Sequence, residues 1–440
     1  MKSSFIETYG CQMNKAESAA LEIVLAERGW QIALDADTAD LVVINTCSVR
    51  ETAETRALGR IDHYIALRRK RREAGLDPLT LIVCGCMAER TGPALLERGV
   101  DYAIGTQARS IFPEILEAVE KGSRWIPSDE TPHYSFSSSH HSDRSASAFV
   151  PVMHGCNNFC SYCIVPYVRG REVSRDPKDV IEEIHTLLDA GVKEITLLGQ
   201  NVNSYSHGEG SSAVDFPSLL DLVAREMGQG TWLRFLSSHP KDYDERLTGV
   251  IASHENIPRY LHLCVQHGSN RILTAMNRRY TREAYLEKIR NIRSVLPEMH
   301  FSTDILIGFP GETEEDVGET LSLMEEVRFS NAFMYHYNPR EGTKAFDLPD
   351  RIPYEVKTER LQRVIDLQMR HTVERMEESV GKSVRVLVEG PSRKKEGQMR
   401  GRTERDESVV FTGDIRETGS FKSLHINELR GKTFRAKELE

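Results

Sequence analysis

A chain of 440 residues with 39% hydrophobic content is longer than one ordinary domain and apolar enough to fill two or three cores. Met1 to Glu7 run straight into strand-like sequence, and no run of about 18 uncharged apolar residues follows, so no membrane span is expected and a cytoplasmic location is the default. A formal net charge of −9 excludes a uniformly basic nucleic-acid coat, and eight cysteines in so long a chain point to metal binding or catalysis before disulfides.

Residues 1–126 alternate short β-rich runs with longer helical patterns. Phe5 to Tyr9, Leu41 to Asn45, Leu79 to Val83 and Tyr102 to Ile104 read as strands, and Ala16 to Glu27, Ala53 to Arg69 and Ile111 to Lys121 as helices. This α/β alternation predicts a doubly wound, mostly parallel sheet with helices on both faces. Cys11, Cys47 and Cys86 each follow a strand and precede a helix, so right-handed crossovers bring all three to one carboxyl edge. Cys84 competes with Cys86 for the third place, although its position inside the strand favours a buried, inert thiol. Arg68 to Arg72 close a predicted helix, either as a solvated, dipole-compensating end or as an RNA contact.

Residues 127–147 lose apolar periodicity and read as a linker whose pair His140-His141 needs no ligand. Residues 148–378 then repeat βα units, with strands near Phe149–Met153, Glu194–Leu198, Leu233–Leu236, Tyr260–Leu263, His300–Ile307 and Ala332–Tyr337. Helices such as Val180–Ala190 and Arg282–Leu296 intervene. Six such units predict a partial, TIM-like (βα)6 barrel with functional loops at the strand carboxyl ends. Residues 379–440 form a third region, where Ser383–Glu389 and Val409–Phe411 look like strands of a small all-β barrel. Residues 381–440 carry 14 lysines and arginines against 10 acidic residues, so the tail is basic while the rest of the chain is strongly acidic.

Cys156, Cys160 and Cys163 give the spacing C-x3-C-x2-C in one loop after the first barrel strand. Three thiolates on a four-iron cubane leave one iron open, and an open iron can chelate the amino and carboxylate groups of S-adenosylmethionine. The competing reading is a zinc knuckle, which wants a fourth ligand that neighbouring His154 could supply.

With Tyr162 before the last cysteine, the triplet resembles that of the radical S-adenosylmethionine superfamily. The resemblance implies that Gly199, Gln200 and Asn201 at the second strand end, Ser238 after the third and Ile307 at the fifth contact the cofactor. The three-region order resembles the methylthiotransferases over nearly the whole chain, through Thr8 to Asn14, Asn45 to Glu51 and Gly85 to Ala88. Val165 to Arg175 and Gly199 to Tyr205 look like the MiaB-type tRNA branch. That likeness implies two [4Fe-4S] clusters, one on Cys11, Cys47 and Cys86 and one on Cys156, Cys160 and Cys163, with two molecules of S-adenosylmethionine consumed. It implies methylthiolation at C2 of N6-isopentenyladenosine at tRNA position 37, a low-potential electron donor such as a flavodoxin or ferredoxin, and a monomer. Other acceptors in the same family are a threonylcarbamoyl-adenosine tRNA or a ribosomal-protein aspartate. A non-catalytic iron-sulfur RNA-binding protein is the reading from another class. The tail resembles a TRAM module, with Arg393, Lys394, Lys395, Arg400 and Arg402 as expected RNA contacts. Cys264 and His267 stand where the family resemblance predicts proline and serine, and packing is the expected role of Cys264.

Overall fold

The computed structural model describes residues 2–49, 51–106, 108–123, 136, 145–392 and 395–438. It divides into two compact units. The first holds the N-terminal region together with residues 154–157 and 164–173, and the second holds the other central residues and the whole tail.

In the first unit, the strand Leu41–Thr46 is buried along its whole length because it has apolar neighbours on both faces. Val42 and Ile44 pack with Ile61, Tyr64 and Leu95 on one side, and Leu41 and Val43 pack with Leu21, Leu25, Phe112 and Leu116 on the other. Such two-sided burial, set by the two-residue period of a strand, is the signature of a central parallel strand. The sheet is all parallel in the order Gln31–Ile32, Ser3–Thr8, Leu41–Thr46, Thr80–Gly85, Tyr102–Ile104, and helices cover both faces as the alternation predicts. The helix expected after Cys86 spans Cys86–Arg98 even though Pro93 lies inside it, and Thr91 leaves helical geometry with φ −123° and ψ 19°.

In the second unit, six parallel strands follow one another around a partial barrel: Ser147–Pro151, Glu194–Leu198, Trp232–Phe235, Tyr260–His262, His300–Ile307 and Asn331–His336. The two triplets of strands meet through a single parallel bridge, Ser238 to Leu263. Helices such as Pro177–Asp189, capped by the Asp176 side chain, and Arg282–Val295, capped by Thr281, pack on the outside through Val180, Ile184, Leu187, Leu286 and Ile289.

The tail forms a closed five-stranded barrel of Ser383–Pro391, Gln398–Thr403, Ser408–Thr412, Thr433–Glu438 and Phe421–Arg430, in that order around the barrel. Closure removes free sheet edges. It is anchored on the central strands around Glu194, a buried carboxylate that accepts from Arg234 Nε at 2.7 Å and from Arg402 Nη2 at 2.6 Å. Arg234 also donates to the tail carbonyls of Thr403 and Glu404. Beside it, the fully buried Trp232 meets Phe421 edge-on with centroids 4.7 Å apart.

Candidate iron-sulfur and cofactor sites

The first unit brings Cys11, Cys47 and Cys86 to one sheet edge, as the crossover argument requires. Cys11 caps the helix Gln12–Glu27, and its Sγ lies 3.2 Å from Asn14 Oδ1. Asn14 in turn donates to Asn45 Oδ1 and to Thr46 O, both at 3.0 Å, which ties the Cys11 turn to the strand end that carries Cys47. The backbones approach so closely that only glycine fits: a Cβ on Gly10 would lie 2.8 Å from Cys47 Cβ, and one on Gly85 would lie 2.4 Å from Thr46 O. Burial pushes the Cys86 thiol up to about 12, and the negative charges of Cys47, Glu17 and Cys11 add to that against the opposing pull of Arg169. Three thiols that sense one another's charge form a donor set a metal cluster would neutralise.

Arg169 is a residue that sequence reasoning missed. It is 3% exposed, pairs with Glu17 at 2.7 Å, and sits in the field of Cys86 and Cys11, which together with Glu17 hold its pKa well above the usual value despite burial. Ile164 and Val168 pack against Cys86 from the same segment. Cys84, by contrast, points into the core with Leu21, Leu25 and Phe112, the inert placement expected of it. Of the basic run, Arg68 pairs with Asp101 at 2.6 Å and Arg71 donates to Ala39 O at 2.7 Å, so these two serve the fold; Lys70 and Arg72 are exposed.

Cys156 belongs to the first unit, where its N–H donates to Gly170 O at 3.2 Å. Cys160 and Cys163 belong to the second, where Cys163 N–H donates to Cys160 O at 2.9 Å and the turn is clamped from a distant segment. Ser161 bonds Ala275 O through its hydroxyl and Met276 O through its N–H, Asn277 donates to Phe159 O at 2.9 Å, and the buried Arg278 donates to Cys160 Sγ at 3.2 Å. Arg278 is held by Cys264 O at 2.8 Å and Tyr280 Oη at 3.0 Å. Its pull toward a thiolate sulfur gives Cys160 a charge-assisted donor. No local motif announces that contact, because the partners are more than a hundred residues apart.

Gly199, Gln200 and Asn201 follow the strand Glu194–Leu198, and Ser238 follows Trp232–Phe235. Gln200 Oε1, Asn201 Oδ1 and Ser238 Oγ are buried without a hydrogen-bond partner, although Asn201 Nδ2 donates to Asp242 at 2.7 Å. Buried polar atoms left unpaired at adjacent strand ends mark a site shaped for a polar ligand. Tyr162 packs on Ile272, Met276 and Phe309. Ile307 has no exposed surface, packs in the central core and accepts from Tyr337 N–H through its carbonyl. Arg402 is saturated by Glu194, Glu389 and Asp406 and joins the tail to the central strands instead of reaching for phosphate.

Arg393 and Lys394 lie outside the described residues, as do His140 and His141. Lys395 and Arg400 are exposed. So are Arg435 and Lys437, which sequence reading passed over; Arg400 and Arg435 both align with Val410 on the strand between them, so the two arginines share a face. Among the described residues none of these four cations has a carboxylate partner. His267 is fully buried against Glu312 at 3.2 Å and Ser269 N–H at 3.0 Å, and Glu312 accepts from Gly308 N–H and Arg360, a structural network. Among the described residues no helix is long and apolar enough to cross a membrane.

Family models match in three blocks: "Uncharacterized protein family UPF0004" over residues 3–105, the radical SAM superfamily over 150–324 and the TRAM domain over 377–438. A protein of Treponema denticola named tRNA-2-methylthio-N(6)-dimethylallyladenosine synthase is 48% identical over 451 residues, covering 98% of this chain and 99% of that protein. One of the same name from Bacteroides fragilis is 43% identical, covering 100% of this chain and 96% of that protein. The chain belongs to the tRNA-2-methylthio-N(6)-dimethylallyladenosine synthase family. It is a radical S-adenosylmethionine enzyme of that family, and membership implies [4Fe-4S] clusters and S-adenosylmethionine as its cofactors. The fold is shared more widely. The radical S-adenosylmethionine methyltransferase TsrM of Kitasatospora setae, solved with cobalamin and a [4Fe-4S] cluster, superposes with a TM-score of 0.60 at 15% identity over 79% of this chain and 74% of that one. The cobalamin-dependent radical enzyme OxsB gives 0.52 at 11% identity, over 84% of this chain and 56% of that one.

Proposed function

We propose that this chain adds a methylthio group to C2 of N6-isopentenyladenosine, beside the anticodon at tRNA position 37. The observation that carries the reading is the convergence of Cys11, Cys47 and Cys86 at one edge of the N-terminal sheet, in a chain whose central barrel belongs to the radical enzymes. C2 of adenine carries an unactivated carbon–hydrogen bond beyond the reach of side-chain acids and bases, so a cofactor must do the hard step. When bound, the clusters and two molecules of S-adenosylmethionine supply the electron, the radical, the methyl group and the sulfur.

The chain's own residues hold, orient and balance charge. Cys156, Cys160 and Cys163 hold the cluster that binds S-adenosylmethionine, and Arg278 supports it through Cys160. Cys11, Cys47 and Cys86 hold the second, with Arg169 as the buried cation beside it. Gln200, Asn201 and Ser238 offer S-adenosylmethionine the polar atoms that the fold leaves unpaired. The chain works as a cytoplasmic monomer with a small low-potential electron donor, and Lys395, Arg400, Arg435 and Lys437 track tRNA phosphates. An anticodon-loop adenosine suits the reaction because leaving a loop stack costs less than leaving a duplex.

The test is anaerobic turnover of cluster-loaded protein with S-adenosylmethionine and a strong reductant on isopentenylated and on unmodified tRNA, followed by nucleoside mass analysis. The reading expects 5′-deoxyadenosine and a methylthio-isopentenyl nucleoside from the first tRNA only. Methylthiolation of the unmodified tRNA alone, or 5′-deoxyadenosine with no methylthio product on either tRNA, overturns it.

A further inference from the structure

We propose that His262, Cys264 and Asp304 form a third metal site, for one divalent ion of zinc-like chemistry, inside the central barrel and separate from both cysteine triplets. The pleat brings them together. His262 pairs in register with Ser302, and Leu261 and Leu263 on either side of His262 enter the outer core, so His262 faces the other way. Asp304 lies two residues beyond Ser302 and alternates with the core residues Ile305 and Ile307. Cys264 lies two residues beyond His262. All three therefore share the face of the sheet turned from the packed helices.

Their donor atoms converge on one point. His262 Nε2 lies 3.1 Å from Cys264 Sγ and 3.5 Å from Asp304 Oδ2, and all three atoms lie within 4.8 Å of one another. Zinc bonds of about 2.0 to 2.3 Å place tetrahedral donors roughly 3.3 to 3.8 Å apart, close to this spacing. The other ring nitrogen, Nδ1, is engaged by Ser302 Oγ at 3.0 Å, the arrangement that fixes the tautomer and turns Nε2 toward a metal. A catalytic relay would look different. There the carboxylate takes one ring nitrogen and the thiol the other, whereas here both face Nε2.

Charge also favours a cation. The Asp304 carboxylate stands 3.5 Å from His262 Nε2, so the pocket already holds an anionic donor. Arg278 offsets only part of this, being turned to the Cys264 carbonyl, Tyr280 and Cys160. One thiolate, one imidazole and one carboxylate suit zinc and leave a fourth position open. That position lies on the side of Asp304, whose side chain is 30% exposed while that of His262 is 7% exposed. Binding releases to solvent both the Cys264 thiol proton and the His262 Nε2 proton that Asp304 holds in the empty site.

The experiment incubates full-length, cluster-loaded protein anaerobically with zinc chloride, removes excess by desalting, and measures retained zinc, iron and the zinc K-edge absorption spectrum. The assignment expects about one zinc per chain with a single sulfur neighbour and unchanged iron. Cys264→Ala and His262→Gln should each lower retained zinc by roughly tenfold or more at full iron content. If one variant loses iron through misfolding, the other decides. No zinc held by the unsubstituted protein, equal zinc in an iron-replete variant, or a site with two or more sulfur neighbours, which marks the cysteine triplets, overturns it.

Discussion

Cys84 and Cys86 are two residues apart, at the end of one strand and the start of the helix after it, and have opposite placements, because one points into the core and the other stands at the sheet edge with Cys11 and Cys47. Cys86→Ala should therefore remove one cluster, taking iron from about eight to about four atoms per chain and abolishing methylthiolation. Cys84→Ala should keep the iron and cost roughly 1 kcal/mol of stability, the effect of a small buried cavity. Iron assay and denaturant unfolding of both variants check this. Arg278 donates to the sulfur of Cys160, and Arg278→Met removes that donor. The cluster potential, followed by redox titration with electron paramagnetic resonance, should move to more negative values, and 5′-deoxyadenosine formation should fall by about 10- to 100-fold. An unchanged potential would mean that Arg278 only packs. At this scale the cysteines were legible, since thiol spacing is written along the chain. Arg169 and Arg278 were not, since their value lies in partners more than a hundred residues away, and family position does not reveal how ion pairs have already spent the Arg402 side chain.

The elements were legible wherever apolar periodicity was clean. The six barrel strands and four of the five N-terminal strands follow it, and they fix where the loops bearing the candidate site residues emerge. It failed along Phe421–Arg430, where a register shift between Ile426 and Glu428 breaks the alternation. Nor did it show how the tail barrel is held to the barrel strands. That contact depends on Glu194, which pairs with Arg234 inside the central sheet and with Arg402 from the tail. Burial pushes the Glu194 carboxyl upward, but Arg234 and Arg402 outweigh it and hold its pKa below the ordinary 4.5. The contribution of Glu194 is thus fully present above that ordinary value and is lost as pH falls through the lower folded-state value. Glu194→Gln leaves the buried Arg234 and the half-buried Arg402 short of their shared carboxylate and should cost about 3 to 5 kcal/mol at neutral pH. Thermal unfolding as a function of pH checks both parts. The deficit of the variant should shrink as pH falls below the ordinary 4.5 and through the lower folded-state value, where the native carboxyl also becomes neutral. A deficit independent of pH down to about 2 would show that shape, not charge, makes this contact.

For the molecule as a whole, the net charge of −9 repels a polyanion, so tRNA must be met by a local patch whose cations are free of internal partners. Composition points to the tail but does not say which of its cations are free. Arg402, Arg416, Lys422 and Arg430 are each neutralised by carboxylates within the protein. Arg400 and Arg435 are exposed, align with Val410 between them and have no such partner among the described residues. Each free cation that replaces a counterion on a phosphate adds close to one to the slope of log affinity against log salt. Arg400→Gln and Arg435→Gln should therefore each weaken tRNA binding, for modified and unmodified tRNA alike, and reduce that slope by about 1, with a near-additive loss in the double variant. Arg402→Gln should leave the slope unchanged and lower the unfolding temperature, because its charge is already spent on Glu194, Glu389 and Asp406. Binding isotherms across a salt series separate the two classes. A slope that falls for Arg402→Gln and holds for the other two would place the RNA contact away from the Arg400–Arg435 face and reassign the tail barrel from grip to scaffold.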